Sequence, residues 1–273
     1  MNRKKLLNFL RIIISWSFVG VVLIPFGLVV LNSLKTTQES ARMNMKLPDK
    51  LHFENYLEVI EEGHMVRSFF NSLFIALFCV IIGITVSAMA AYVISRYKSK
   101  LNRFCFYFFF VGLIAPVNYV TTIRVMKWLH LINSYRGMIL LNAALAIPFA
   151  VFLFHGFIIT VPREIDEAGV IDGCGPASLF FRVVFPLLKP VTITAGVLTF
   201  ISCWNDFITP LYILNDTRKW GMIISVYNFW GLYTSEWNLI CAVIVLTLAP
   251  IMIVYILAQK YIIAGMTAGS VKG

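Results

Sequence analysis

The chain has 273 residues, of which 59% are hydrophobic and only 13% charged, with a mean hydropathy of +0.82. A water-soluble globular domain carries about 25% charged residues, so this balance excludes a soluble protein and indicates an integral membrane protein. The net charge of +10 does not argue for nucleic acid, because the basic residues flank the apolar runs, where anionic lipid headgroups are the natural counter-charge.

Six stretches approach or exceed the roughly 20 apolar residues that span a bilayer. The first, Ile12–Leu31, follows Arg3, Lys4, Lys5 and Arg11. It is too long for a signal peptide and lacks a small-residue cleavage site, so it reads as a retained helix with a cytoplasmic N-terminus. Ser33 to Arg67 is too short for a separate soluble domain. The second span, Ser68–Ser95, carries Gly83, Ser87 and Ala91 at intervals of four, which suits close helix packing. A loop with Arg96, Lys98, Lys100 and Arg103 leads to the third, Phe104–Ile123. The fourth, Gly137–Val161, contains His155, read as hydrogen-bonded packing. The fifth and sixth are Val191–Leu214 and Asn238–Gln259. With six spans both termini lie inside, and Lys plus Arg then number 13 inside against 10 outside. The expected fold is an all-α membrane protein, one domain over residues 1–273.

Between the fourth and fifth spans, residues 162–190 are polar and turn-rich. Pro162 stands where a first helical position would be, with Glu164, Asp166 and Glu167 in the first turn complementing the helix dipole. Ile165, Ala168 and Ile171 recur at threes as a short apolar face. Gly173, Gly175 and Pro176 break that helix, and Ala177–Phe185 reads as a second one stopped by Pro186. Such a knob is too short to be stable unless docked, so it suggests a contact with a partner; an ordinary loop is the alternative. In the fifth span, Trp204, Asn205 and Asp206 form a polar step before Pro210. Asp206 lies about 22 Å along the helix, in the outer half of the membrane. Either it lines a polar path, or it makes an interhelical hydrogen bond at a helix break.

The chain has no G-x-x-x-x-G-K-[ST] phosphate loop and no cluster of metal-ligand spacing. Cys79, Cys105, Cys174, Cys203 and Cys241 are scattered packing residues. An enzyme is therefore not expected, nor a metal or cofactor in this chain. A lone intramembrane carboxylate, with no visible inverted repeat, gives thin support to an ion-coupled secondary transporter.

Glu167-Ala168-Gly169-Val170-Ile171-Asp172-Gly173, followed at the expected distance by Pro186, matches the EAA loop of permease subunits of binding-protein-dependent ABC importers. Ser33-Leu34-Lys35, Asn55-Tyr56, Asn71-Ser72, Leu131-Ile132-Asn133-Ser134 with Gly137, Trp204-Asn205-Asp206 and Pro210-Leu211 are similar to the carbohydrate class of that family. The ending Gly265 to Gly273 resembles the tail of the maltose-type second permease. The resemblance spans nearly the whole chain and implies a type I importer permease fold in a bacterial or archaeal cell membrane. It also implies a second homologous permease, a cytoplasmic ABC ATPase dimer holding ATP and Mg, and an extracytoplasmic sugar-binding protein. Glu164, Glu167, Ala168, Gly169, Asp172, Gly173 and Pro186 would couple to the ATPase. Ala268, Gly269, Ser270, Val271, Lys272 and Gly273 would reach between the two ATPase subunits. Asn118, Tyr119, Trp204, Asn205 and Asp206 would line the sugar path. A non-sugar ABC permease is the alternative within the family.

Overall fold

The computed structural model of the chain describes residues 3–229 and 236–268, and these are helical with no strand. In chain order the helices are α1 (Arg3–Asn32), α2 (Thr37–Ser40), α3 (Glu54–Glu62), α4 (Met65–Arg96), α5 (Lys100–Ile114) and α6 (Tyr119–Trp128). There follow α7 (Tyr135–Ile158), α8 (Glu164–Ile171), α9 (Pro176–Leu187), α10 (Lys189–Trp204), α11 (Ile208–Ile213) and α12 (Trp237–Ala268). Four of them, α1, α4, α7 and α12, are long and apolar enough to cross a membrane unaided. Two bent pairs, α5 with α6 at 119° and α9 with α10 at 81°, bring the number to six if each pair is one span.

The third span is therefore not the single helix expected over Phe104–Ile123. Pro116 drives Ala115 into an extended conformation (ψ 126°), which ends α5. Asn118 then caps α6, its Oδ1 accepting from the backbone N–H groups of Val120 and Thr121. The fifth span breaks for a related reason. Pro210 has no N–H to give the Asp206 carbonyl, so α10 stops at Trp204 and α11 begins afresh at Ile208. The last helix runs beyond the expected Gln259 as far as Ala268.

The chain divides into two compact units, residues 1–67 with 222–249, and residues 68–221 with 250–273. In the first, Lys35 is 2% exposed. Its Nζ donates to Asn32 Oδ1 (3.1 Å), the Asn44 carbonyl (2.7 Å) and Asn44 Oδ1 (3.1 Å), so a buried ammonium has one acceptor for each proton. Asn55 Nδ2 donates to the carbonyls of Ser33 and Lys35, and Asn238 Nδ2 donates to Asn55 Oδ1.

In the second unit, Gly83, Ser87 and Ala91 are buried. Ser87 Oγ reaches the Ile147 carbonyl at 3.4 Å, so the small-residue stripe brings α4 close to α7 as expected. Ala88, Ala91, Phe154, Ile158, Val184 and Leu188 share the adjoining apolar core. Asn71 Nδ2 donates to the carbonyls of Arg218 and Trp220, and its Oδ1 accepts from Tyr135 Oη. Asn133 Oδ1 accepts from the Asp216 N–H, and the Asn133 carbonyl accepts from Lys219 Nζ at 2.6 Å. Arg218 grips both carboxylate oxygens of Asp216 at 3.0 Å and holds that carboxyl below the usual carboxylate range.

At Gly137 a Cβ would stand 2.0 Å from the Leu131 carbonyl oxygen, which belongs to the backbone and cannot swing away. At Gly156, on the same helix, nothing lies within 4 Å of that position. Gly137→Ala should therefore destabilise the chain by about 1–3 kcal/mol, whereas Gly156→Ala should not. Thermal unfolding of the two purified variants in detergent checks the contrast.

Candidate coupling site and polar cavity

The polar segment after α7 folds into the expected knob, with its details redrawn. Pro162 lies two residues ahead of α8 rather than in its first turn. Glu164, Asp166 and Glu167 do occupy that turn, where the exposed helix N-terminus favours negative charge. Gly173 ends the helix with φ at +81°, a left-handed conformation in which a side chain is strained, and the Cys174 N–H closes back on the Gly169 carbonyl at 3.0 Å. Pro186 does not stop the second helix: α9 continues to Leu187. A π turn over Leu179–Val184 precedes Pro186, and its wider path relieves the ring of the clash it would make in an α-helix.

The apolar face expected from Ile165, Ala168 and Ile171 is not the face that packs. At about 100° per residue, Ile171 lies about 120° around the helix from Ile165, whereas Gly169 lies nearly in line with it. Accordingly Ile165 packs on the core and Gly169 is buried, while Ala168 is exposed and Ile171 is 84% exposed. Gly169 faces inward: a Cβ there would fall 2.5 Å from Leu179 Cδ1, so the missing side chain is what lets α9 seat against α8. Glu164, Glu167, Ala168, Val170, Ile171 and Asp172 are left on the open side of the knob.

Asp166 holds the knob to α4. Its Oδ1 accepts from Tyr92 Oη at 3.2 Å, and its Oδ2 lies 2.7 Å from Arg96 Nε. The two charged side chains are 8% and 16% exposed, so water screens them little. Arg96 Nη1 also donates to the Val161 carbonyl at 3.1 Å, joining the end of α4 to the strand of chain that enters the knob. Nε and Oδ2 touch without hydrogen-bond alignment, so that contact is Coulombic. From sequence, Arg96 informs only topology and Asp166 only the helix dipole. Tyr92 and Arg96 share a helix face at i, i+4, but nothing in the spacing names the carboxylate that meets them.

A cavity of about 220 Å³ opens between α4, α6, α7 and α10. Its polar lining is Tyr119, Asn142, Thr199, Ser202, Asp206 and Thr209, with the thiols of Cys79 and Cys203. Asp206 sits in the break after α10, where its Oδ1 accepts from the Thr209 N–H at 3.0 Å. Tyr119 stacks on Tyr212 with centroids 5.1 Å apart. Of the five residues assigned to a path, the structure brings Tyr119 and Asp206 together on this wall. Asn118 is the exposed cap of α6, and Asn205 is also exposed. Trp204 is 2% exposed, its ring against Phe69 and Phe200 at 5.9 and 5.5 Å, and it does not line the cavity. Asn142, Thr199 and Ser202 are lining residues that sequence inspection passed over, since an isolated polar residue in a long apolar run carries no direction.

His155 lies on α7 against the Phe106 ring, with centroids 4.6 Å apart. All five cysteines are free, and among the described residues no group of three His, Cys, Asp or Glu could hold a metal. Of the tail, Ala268 is the last residue of α12, and Gly269 to Gly273 lie outside the described residues.

Comparison with known proteins places this geometry. The chain is 30% identical, over 99% of its length and 97% of the relative's, to the probable starch degradation products transport system permease protein AmyC of Thermoanaerobacterium thermosulfurigenes. It is 32% identical to the melibiose/raffinose/stachyose import permease protein MelC of Bacillus subtilis, over 92% and 91% of the two chains. It is 31% identical to the multiple sugar-binding transport system permease protein MsmG of Streptococcus mutans, over the whole of both. Its fold is shared with a chain of a bacterial ABC transporter that imports the acidic polysaccharide alginate, with a TM-score of 0.84 at 19% identity over 96% and 98% of the chains. Residues 80–268, more than half of the sequence and including the knob and all of the cavity lining but Cys79, match one family, and the chain belongs to it: the inner membrane components of binding-protein-dependent transport systems.

Proposed function

We propose that the chain is the permease subunit of an ATP-driven sugar importer in a bacterial or archaeal cell membrane, and that it supplies half of the translocation path. The relatives named for starch products, melibiose, raffinose and stachyose, and multiple sugars support the substrate class. The observation that carries the coupling is the open side of α8. There Val170 and Ile171 are 60% and 84% exposed beside Glu167 and Asp172, on a helix too short to persist alone yet firmly held from behind. A cytoplasmic ATPase dimer, with ATP and Mg bound in that partner, is the occupant this reading assigns to it. A second homologous permease and an extracytoplasmic sugar-binding protein complete the assembly; one solved neighbour is a complex of an alginate transporter with its pentasaccharide-bound periplasmic protein.

The mechanism follows from which helices the knob grips. Asp166 is tied to Tyr92 and Arg96 on α4, and Gly169 is tied through Leu179 to α9, which leads directly into α10. Both gripped helices also line the polar cavity, α4 through Cys79 and α10 through Thr199, Ser202 and Cys203. A displacement of α8, driven by closure of the ATPase, therefore shifts two cavity walls together. The coupling equals the difference in contact energy between the two states, so a loosely held knob transmits little. On this account Tyr119 and Asp206 face the passing sugar, Trp204 supports the helix behind them, and the C-terminal residues 268–273 reach toward the ATPase subunits.

Glu167→Lys should abolish uptake and sugar-stimulated ATP hydrolysis with normal membrane insertion; wild-type uptake by that variant would refute the assignment. Arg96→Ala leaves the Asp166 carboxylate partly buried without a counter-charge, held by Tyr92 alone, a loss of about 3 kcal/mol in docking the knob. It should uncouple ATP hydrolysis from sugar and raise hydrogen exchange across residues 164–171, and the exchanged pair Arg96→Asp/Asp166→Arg should restore part of both.

A further inference from the structure

The turn between α4 and α5 forms one side of a cavity of about 440 Å³ that His155 of α7 helps to close. Three cations, Lys98, Lys100 and Arg103, stand on its rim, and Tyr97, Phe106 and Tyr107 form its apolar wall. No carboxylate lines it, and among the described residues none of the three cations is in an ion pair. The neighbouring Arg96 points elsewhere, engaged with Asp166. The turn itself is held in place: Asn102 Nδ2 donates to the Tyr97 carbonyl at 2.7 Å, and the Asn102 N–H donates to Ser99 Oγ at 3.0 Å. Three like charges thus border one hollow that no carboxylate lines.

The position of the hollow says which anion could meet them. Here α4 ends, α5 begins and α7 reaches its last turn, so the hollow lies at the membrane boundary on the same side as the knob. From it, Phe104, Tyr107, Phe108 and Val111 run along one face of α5, each about 60% exposed or more, at the spacing of a continuous helical stripe. A ligand that fits both features has an anionic head and an apolar tail.

We propose that this cavity is a binding site for an anionic phospholipid of the knob-side leaflet, with the phosphate among Lys98, Lys100 and Arg103 and the acyl chains along the α5 stripe. Clustered Lys and Arg beside a spanning helix attract such lipids, and a guanidinium can engage a phosphate through two hydrogen bonds at once. A free phosphate would satisfy the charges equally well but would leave the stripe without a role. The inference does not depend on which solute the chain carries.

The test uses the full-length chain, purified with whatever subunits accompany it. Native mass spectrometry during titration should show phosphatidylglycerol retained at least tenfold better than phosphatidylcholine. The triple substitution Lys98→Gln/Lys100→Gln/Arg103→Gln should weaken that retention about a hundredfold. A photoreactive phosphatidylglycerol should label residues 97–107 of the unaltered protein, a readout that stands even if the triple variant fails to assemble. Equal retention of phosphatidylcholine, labelling confined to other segments, or wild-type retention by the triple variant would each overturn the site. Complete displacement by millimolar inorganic phosphate would overturn the lipid as its occupant.

Discussion

The partly buried contact between Arg96 and Asp166 is the constraint on which the rest of this structure turns. An eight-residue helix gains too little from its own hydrogen bonds to hold a fixed place at a membrane surface. A charge pair shielded from water, with Tyr92 on the second carboxylate oxygen, fixes α8 against the end of a 32-residue helix that crosses the bilayer. Pairs of this kind contribute less to net stability than to placement, because desolvating the ions offsets much of their attraction. Placement is what the coupling proposed for α8 requires, since a contact that yields under load carries no displacement.

The polar cavity depends on a second device, the interruption of helices. Pro116 and Pro210 each remove a backbone donor inside what would otherwise be a membrane helix, and each break is capped by a nearby side chain, Asn118 in one case and Asp206 in the other. Irregular backbone is tolerated at membrane depth only where protein or a cavity satisfies it. The broken ends of α10 and α6 therefore belong where they are found, beside Tyr119, Asn142 and Thr209 on the cavity wall. Asp206 both caps a helix break and stands on the cavity wall.

The short motifs that tie the chain to its family are mostly stitches. Lys35 and Asn55 satisfy carbonyls in one unit, and in the other Asn71 pins loop carbonyls, Asn133 a loop N–H and Ser134 a helix start. Gly137 is required because the Leu131 carbonyl occupies the space of its absent Cβ. Among the described motif residues, those facing outward are chiefly in the knob, at Glu167, Ala168 and Asp172, with Asn205 and Leu211 outside it. A motif shared across a family therefore marks a geometric demand more often than a point of contact.

Hydrophobic run length and turn residues were enough to read the all-helical class, the presence of several long apolar segments and the knob between two of them, because those features follow from local chemistry along the chain. The helix break at Gly173 was legible for the same reason, while its left-handed conformation is a finding of the structure. The inward face of α8, the ion pair behind it and the membership of the cavity were not legible. They depend on which residues, far apart in sequence, arrive at the same place: Asp166 at Arg96, Leu179 over Gly169, Asn142 opposite Asp206. Local periodicity states that a helix has faces; its neighbours choose which of them is buried.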